Sequence, residues 1–506
     1  MGQDHQPSLY GLPSPTQRGG TSVSEVQDSN PHGNQAFTVP PRAAYVHIPF
    51  CRRRCFYCDF PIQVTGDRRH GGNFQPIVAY LKTLAQEIQV TPVLGDPGTA
   101  PLQTVFFGGG TPSLLLPEQI AGILDQLRGR FGLAGMVECS IEVDPGTFSL
   151  AQLQGYQAAG VNRFSLGVQA FQDRLLEACG RFHRRADIEA AVALLDRAGI
   201  ENWSLDLISG LPHQTQEDWQ ESLGRSIDLN PAHLSIYDLT LEVPTVFGKR
   251  YQPGQTPLPS EDLTAQFYCM AQETLTAAGY DHYEVSNYGK PGFYCGHNLV
   301  YWRNQSYYGF GLGAASYLNG HRFSRPRHSQ AYRRWVEALV GFSANGQAFD
   351  TALEAPEPEA SQPKAPEPKA PEPEISQPKG TEPESLTLNL GQIPWHLPPD
   401  TDWAALELDR FLDTLMLGLR LREGVSLSAL AMQFGPERVA QLQRSVAGAI
   451  DRGWAEWVSV MSFAASSAER TPAECHEIWL RLRDPQGFLF SNQVISDLFA
   501  TIDDAP

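Results

Sequence analysis

Ala43-Ala44-Tyr45-Val46-His47-Ile48-Pro49-Phe50-Cys51-Arg52-Arg53-Arg54-Cys55-Phe56-Tyr57-Cys58 sets a strand and a cysteine loop in direct succession. Ala43 to Ile48 is apolar and β-rich, so it reads as a strand that ends where the loop begins. Similar runs recur at Gln103 to Phe107, Val137 to Val143, Arg163 to Val168, Trp203 to Ile208 and His233 to Leu239. The helical runs between them are well punctuated. Ser149 precedes Leu150 to Ala159 with Gly160 after it, Gly199 closes Ala186 to Ala198, and Thr215 opens Gln216 to Leu229. Strand and helix alternating in this way predict parallel strands joined by crossover helices. About six such units precede Ser260, after which Glu261 to Ala278 forms a helix stopped by Gly279. The expected fold class is therefore α/β, a partial, open (β/α)6-type barrel rather than eight closed units.

Other parts of the chain do not share this period. Residues 1–40 are rich in Gln, Ser, Gly, Pro and Asn, a composition that buries too little surface to order itself, and are expected to form a disordered tail. The barrel is expected over 41–330. Residues 354–384 repeat units such as Ala355-Pro356-Glu357-Pro358 and predict an extended, low-complexity Pro/Glu-rich insertion. Beyond it, residues 400–506 read as a smaller helical, winged-helix-like domain. Its expected helices are Ala404 to Leu421, Ser426 to Phe434 and Glu437 to Gly453, with short strands around Trp457 and Phe488.

The bulk numbers narrow the function. A length of 506 residues supports at least two domains. The net charge of −18 disfavours a protein that tracks a nucleic-acid backbone, so no nucleic-acid partner is expected. No apolar run approaches the ~18 residues of a membrane span. The start, Met1-Gly2-Gln3-Asp4-His5-Gln6, lacks a signal-peptide pattern, so the expected compartment is the cytoplasm. Eight cysteines are too few for a disulfide scaffold in a chain of this length, and the crowding of three in one loop points to metal.

Two metal chemistries suit the CxxxCxxC loop. Thiolates of Cys51, Cys55 and Cys58 would occupy three irons of a [4Fe-4S] cubane and leave the fourth open to the amino and carboxylate groups of S-adenosylmethionine (SAM). Alternatively, three cysteines completed by a residue such as His47 would hold zinc. The first reading gains from Gly108-Gly109-Gly110-Thr111-Pro112 after the second strand, where glycines let backbone approach a ligand and Thr111 adds a hydroxyl. A bare strand-to-helix turn would also use such glycines. Glu142, Gln169 and Asp206 end or follow strands, and carboxyl ends of parallel strands are where α/β barrels assemble sites.

These separated motifs together resemble the oxygen-independent coproporphyrinogen III oxidase-like family of radical SAM proteins. Tyr45-Val46-His47-Ile48-Pro49-Phe50 before the loop carries most of the likeness, which spans roughly residues 43–330. The resemblance implies that Tyr45, Gly109, Glu142 and Ala315 contact one SAM. It implies that Tyr57, Gly110, Thr111, Gln169, Arg181, Asp206 and Thr240 surround a second small-molecule position. In that setting Arg181 would clamp a carboxylate bidentately.

Within the family the resemblance implies two competing functions. One is oxidative decarboxylation of coproporphyrinogen III to protoporphyrinogen IX in porphyrin biosynthesis. The other is a heme chaperone that binds heme and passes it to an acceptor protein. The oxidase typically has a fourth cysteine, CxxxCxxCxC, whereas Cys58-Asp59-Phe60 puts an aromatic residue there. His297-Asn298-Leu299-Val300-Tyr301-Trp302 is similar to the HNxxYW signature of the chaperone branch. His297 is thus a candidate heme ligand through its imidazole. Asp413 to Arg420 and Leu489 to Val494 also resemble that branch and indicate lineage rather than chemistry. The implied cofactors are a [4Fe-4S] cluster, SAM and heme.

Overall fold

Alternation of apolar and polar residues along each strand of the first 290 residues gives one face to helices and the other to polar groups. In the computed structural model, which describes residues 40–66, 74–345, 402–463 and 474–503, nine strands form one sheet. They are β1 (Ala43–Ile48), β2 (Leu102–Gly109), β3 (Leu133–Val143), β4 (Arg163–Gln169), β5 (Trp203–Ser209), β6 (His233–Asp238), β7 (Asp281–Glu284), β8 (Asn287–Gly289) and β9 (Tyr308–Phe310). Their order is β9-β1-β2-β3-β4-β5-β6-β8-β7. The first seven run parallel, while β8 is antiparallel to both neighbours. The expected six parallel strands and their crossover helices are present in an open sheet. Residues 1–39 of the tail expected over 1–40, and the insertion expected over 354–384, lie outside the described residues.

The pleat explains the layers. Val46 and Ile48 on β1, Val105 and Phe107 on β2, Ile141 and Val143 on β3, and Leu205 and Leu207 on β5 are buried in one large core. Alternate positions carry Thr104, Ser140, Ser165, Ser204 and Ser235, all buried as well. The barrel is therefore apolar behind its strands and polar inside, a lining suited to polar ligands at its mouth.

The short strand β9 had no counterpart among the expected strands. Tyr308-Gly309-Phe310 is too short for a periodic signal and finds its place because a hairpin, Ala315–Leu318 with His321–Ser324, folds back beside it. A buried ion pair fastens this region. Arg325 Nε donates to Glu87 Oε1 at 2.7 Å, and Glu87 Oε2 accepts from Tyr332 Oη at 2.6 Å and from the Gly311 amide at 2.8 Å. Both charged side chains are fully buried. Helix Gln75–Val90, the hairpin and helix Ser329–Asn345 are thereby locked together.

The C-terminal part builds a second core from Phe411, Leu415, Leu430, Leu442, Leu480, Val494 and Leu498. Helices Trp403–Gly418, Leu427–Phe434 and Pro436–Ser445 pack with a hairpin of Ala455–Phe463 and Glu474–Leu482. Phe488 is not in a strand as expected but in the short helix Gln486–Leu489. Pro485 cannot donate to a ladder, so the strand has ended by Leu482 and Phe488 turns into the core instead. The helix expected over Glu437 to Gly453 is divided around Val446 into Pro436–Ser445 and Ala447–Asp451.

Removing one partner of a buried ion pair strands the other in low dielectric. Arg325→Met should lower the unfolding free energy by about 3–5 kcal/mol, measured by equilibrium denaturation. A loss below about 1 kcal/mol, typical of exposed pairs, would show that the pair is not what fastens this region.

Candidate functional site

The loop Cys51–Cys58 is shaped mostly by its own backbone and by one arginine. Arg54 Nη1 donates to the carbonyls of Cys58 at 3.2 Å and Phe60 at 3.1 Å, curling the segment over itself. The Phe56 amide donates to the Cys179 carbonyl at 2.9 Å, and the Phe247 amide donates to the Phe56 carbonyl at 2.9 Å. The Phe56 ring covers Gly180, where a Cβ would sit 3.1 Å from it. Phe60, standing where a fourth cysteine was sought, is 36% exposed at the loop's edge.

Beneath the loop lies the glycine turn at the end of β2. The Gly110 amide donates to the Ile48 carbonyl at 2.9 Å and the Thr111 amide to the Phe50 carbonyl at 2.7 Å. A Cβ on Gly110 would fall 2.7 Å from both of the carbonyl oxygens of Ile48 and Phe50. Gly109 has φ +110°, and a Cβ there would strike the His47 ring at 2.3 Å. Gly110 is thus required by close backbone approach, and Gly109 by its positive φ and the His47 ring, whatever ligand also lies there.

The three thiols sit half-buried around this turn. Burial pushes the Cys58 thiol up to about 11, with Cys55 adding to it, and raises Cys51 further still. Iron binding must displace those protons, so cluster loading favours higher pH. His47 turns away from them, its Nδ1 3.1 Å from Tyr45 Oη and its Nε2 3.1 Å from the Pro61 carbonyl. It is not placed to complete a zinc site. Among the described residues no three His, Cys, Asp or Glu side chains converge as ligands of a single ion do. A cubane, which takes one thiolate per iron, asks for no such convergence.

The remaining candidate residues fall into two neighbouring groups. Tyr45, Gly108, Gly109 and Glu142 meet at the mouth: Glu142 Oε2 accepts from the Gly109 amide at 2.9 Å, and a Cβ on Gly108 would lie 3.0 Å from both Glu142 Oε1 and Tyr45. Ala315 joins them through Gly309, which pairs with Tyr45 and whose Cβ position is filled by the Ala315 carbonyl. Thr111, Arg181 and Gln169 gather nearer the cysteines, and Tyr57 lies close enough to feel the charges of Cys55 and Arg181. A bulge between Gly167 and Gln169 breaks the β4 register and leaves Gln169 at φ +67°. Such strained, re-aimed residues cluster at functional sites. Asp206 accepts from Ser165 and Ser204 hydroxyls and is raised by burial. Thr240 is exposed in the loop after β6.

The link between thiols and carboxylates is Asp144, which directly follows the strand that carries Glu142 and is not among the expected site residues. Its Oδ2 lies 2.9 Å from Thr111 Oγ1, and its Oδ1 accepts from Arg181. Arg181 in turn donates from Nη1 to Cys55 Sγ at 3.6 Å.

His297 stands apart from this mouth. It is 1% exposed, its Nδ1 is 2.8 Å from Thr104 Oγ1, its Nε2 is 2.8 Å from Tyr301 Oη, and its ring stacks on Phe106. Burial lowers its pKa to about 3, with Arg163 adding to the effect, so it is neutral. Trp302 is hydrogen-bonded to Glu284. In this conformation the imidazole is satisfied within the barrel interior.

Glu142 retains exposed surface because the mouth is open, yet it lies deep enough for burial to push its carboxyl up to about 8, against the pull of the Gly109 amide. The unfolded chain releases the proton near 4.5. Between those values the folded state holds the extra proton, so stability falls as pH rises. In ligand-free protein, Glu142→Gln should gain stability relative to wild type as pH rises through this window and match it below. Unfolding at a series of pH values checks this, and a pH-independent difference would refute it.

Residues 45–225 match the Radical SAM superfamily. The chain is 41% identical to "Heme chaperone HemW" of Synechocystis sp. over 477 residues, covering 93% of this chain and 99% of that one. It is 37% identical to the protein of the same name from Escherichia coli, covering 62% and 81%. Among solved structures, coproporphyrinogen III oxidase (HemN) from Escherichia coli superposes with a TM-score of 0.61 at 20% identity, over 92% of this chain and 91% of that one, and so shares the fold. Among the described residues no helix is long and apolar enough to cross a membrane. The chain belongs to the HemW branch of the oxygen-independent coproporphyrinogen III oxidase-like radical SAM family.

Proposed function

We propose that this protein is a cytoplasmic heme chaperone built on a radical SAM barrel, binding heme and passing it to an acceptor protein. The observation that carries the reading is the 41% identity to a heme chaperone HemW across 93% of the chain. Phe60 in place of a fourth cysteine supports the chaperone over coproporphyrinogen III decarboxylation. When bound, a [4Fe-4S] cluster supplies a low-potential electron and an open iron position for SAM. Cys51, Cys55 and Cys58 hold it. Tyr45, Gly109, Glu142 and Ala315 line the place for SAM, and Glu142 is suited to accept hydrogen bonds from an ammonium or ribose hydroxyls. Tyr57, Gly110, Thr111, Gln169, Arg181, Asp206 and Thr240 border the second position.

Heme is the cargo, and His297 is its proposed axial ligand. A neutral imidazole suits iron, but Nε2 is held by Tyr301 Oη at 2.8 Å, so ligation requires that contact to open. The reading thus predicts opposite effects at adjacent residues. His297→Ala should weaken heme binding and shift the Soret band, Tyr301→Phe should strengthen binding by freeing Nε2, and iron-sulfur content should be unchanged in both. Equal heme affinity across wild type and both variants would move the ligand elsewhere.

The test of function is anaerobic reconstitution. Wild type should take up iron and acid-labile sulfide, and the Cys51, Cys55, Cys58 triple Ala variant should take up neither. Offered coproporphyrinogen III with SAM and a reductant, the wild type should form no protoporphyrinogen IX over multiple turnovers. Heme titration should give a stable complex. Turnover to protoporphyrinogen IX would make the oxidase the correct reading.

A further inference from the structure

The Arg181 guanidinium sits between the cysteine loop and a carboxylate, and three of its hydrogens have partners while the buried Nε has none among the described residues. Nη2 carries two: one goes to Asp144 Oδ1 and the other to the Gly167 carbonyl at 2.9 Å. Nη1 donates to Cys55 Sγ at 3.6 Å. The side chain is 8% exposed and that of Asp144 15%. A two-point clamp on a ligand carboxylate uses either the Nε and Nη2 pair or the Nη1 and Nη2 pair. Both pairs contain Nη2, which is already committed. Arg181 is therefore built to face inward, toward sulfur.

We infer that Arg181 is a positioning residue for the cluster, setting its reduction potential through a charge-assisted hydrogen bond to the Cys55 sulfur, and that Asp144 holds the guanidinium in place. The inference rests on the proposed cluster at Cys51, Cys55 and Cys58. Hydrogen bonds and positive charge near cluster sulfurs stabilise the more negative, reduced state and raise the potential. Asp144 does the reverse by its charge while fixing the geometry. It also takes the single Thr111 hydroxyl proton at 2.9 Å, which keeps that proton from Cys51 Sγ, 3.7 Å away. Asp144 thus directs one donor toward the cluster and withholds another, an arrangement in which its neutral isostere changes charge without changing shape.

The experiment is an EPR-monitored redox titration of the reconstituted full chain without SAM, after iron and sulfide have been counted. Arg181→Gln should shift the midpoint to more negative potential. Asp144→Asn should shift it to more positive potential, because the guanidinium loses its counter-charge and the Thr111 proton is freed for Cys51. Arg181→Lys, which keeps the charge and loses the fork, should fall between wild type and Arg181→Gln. A merely structural pair would lower cluster content in both variants without opposite shifts. Shifts of the same sign, or an unmoved midpoint with full cluster content, overturn the inference. If Arg181→Gln holds no cluster, the Asp144→Asn midpoint decides alone: a positive shift supports the inference, and no shift or a negative one overturns it. Failure of wild type to hold a cluster overturns the cluster reading itself and the inference with it.

Discussion

Everything at the mouth of this barrel depends on how closely two backbones approach. At the end of β2, Gly110 leaves no room for a side chain: its Cβ position is 2.7 Å from two carbonyl oxygens of the segment that leads into the cysteine loop. Because of that approach, the Gly110 and Thr111 amides can pair with the Ile48 and Phe50 carbonyls and extend the β1–β2 ladder past the strands. The ladder fixes where Cys51 starts and delivers Thr111 beneath it. A methyl group would separate the strands and displace the loop, the Thr111 hydroxyl and, through them, Asp144. Steric exclusion here does the positioning that elsewhere requires a network of side chains.

Electrostatics then divides the mouth in two. On one side Glu142 and Asp206 are both raised by burial, against the pull of the Gly109 amide on the first and of the Ser165 and Ser204 hydroxyls on the second. On the other, the paired Arg181 and Asp144 sit beside sulfurs that must become thiolates. A buried cluster of negative sulfurs needs nearby positive charge, and Arg181 is the guanidinium that donates to one of those sulfurs. The strand-end ring thus keeps the carboxyls of Glu142 and Asp206 apart from the guanidinium that faces the cysteines.

The chaperone reading puts weight on a different part of the interior. His297 lies on helix Gly296–Trp302, whose first amides donate to Glu138 on β3, so the helix is pinned to the sheet with His297 as its buried residue. The ring is neutral and already paired, its Nε2 covered by the Tyr301 hydroxyl. Phe106, stacked on both Tyr45 and His297, links this part of the interior to the mouth.

How much of this was legible in the chain follows from the range of the interactions. Parallel strands with crossover helices follow from local alternation and from caps such as Ser149 and Thr215, which accept the amides expected of them. The cysteine triad is legible because its ligands are adjacent in sequence. The strand-end residues Glu142, Gln169 and Asp206 are legible because parallel strands all point the same way. What lay beyond reach were contacts between distant segments: β9 beside β1, Arg325 with Glu87, and Asp144 bridging Thr111 to Arg181. Phe488 likewise depended on where its strand stopped, which Pro485 decided. Sequence by itself determined the units, their direction and the three thiols, because these rest on neighbours within a few residues. Only the tertiary structure decided that Arg181 faces sulfur, that Asp144 holds it there and that His297 meets Thr104 and Phe106. Those outcomes turn on which side chains meet after the strands are packed.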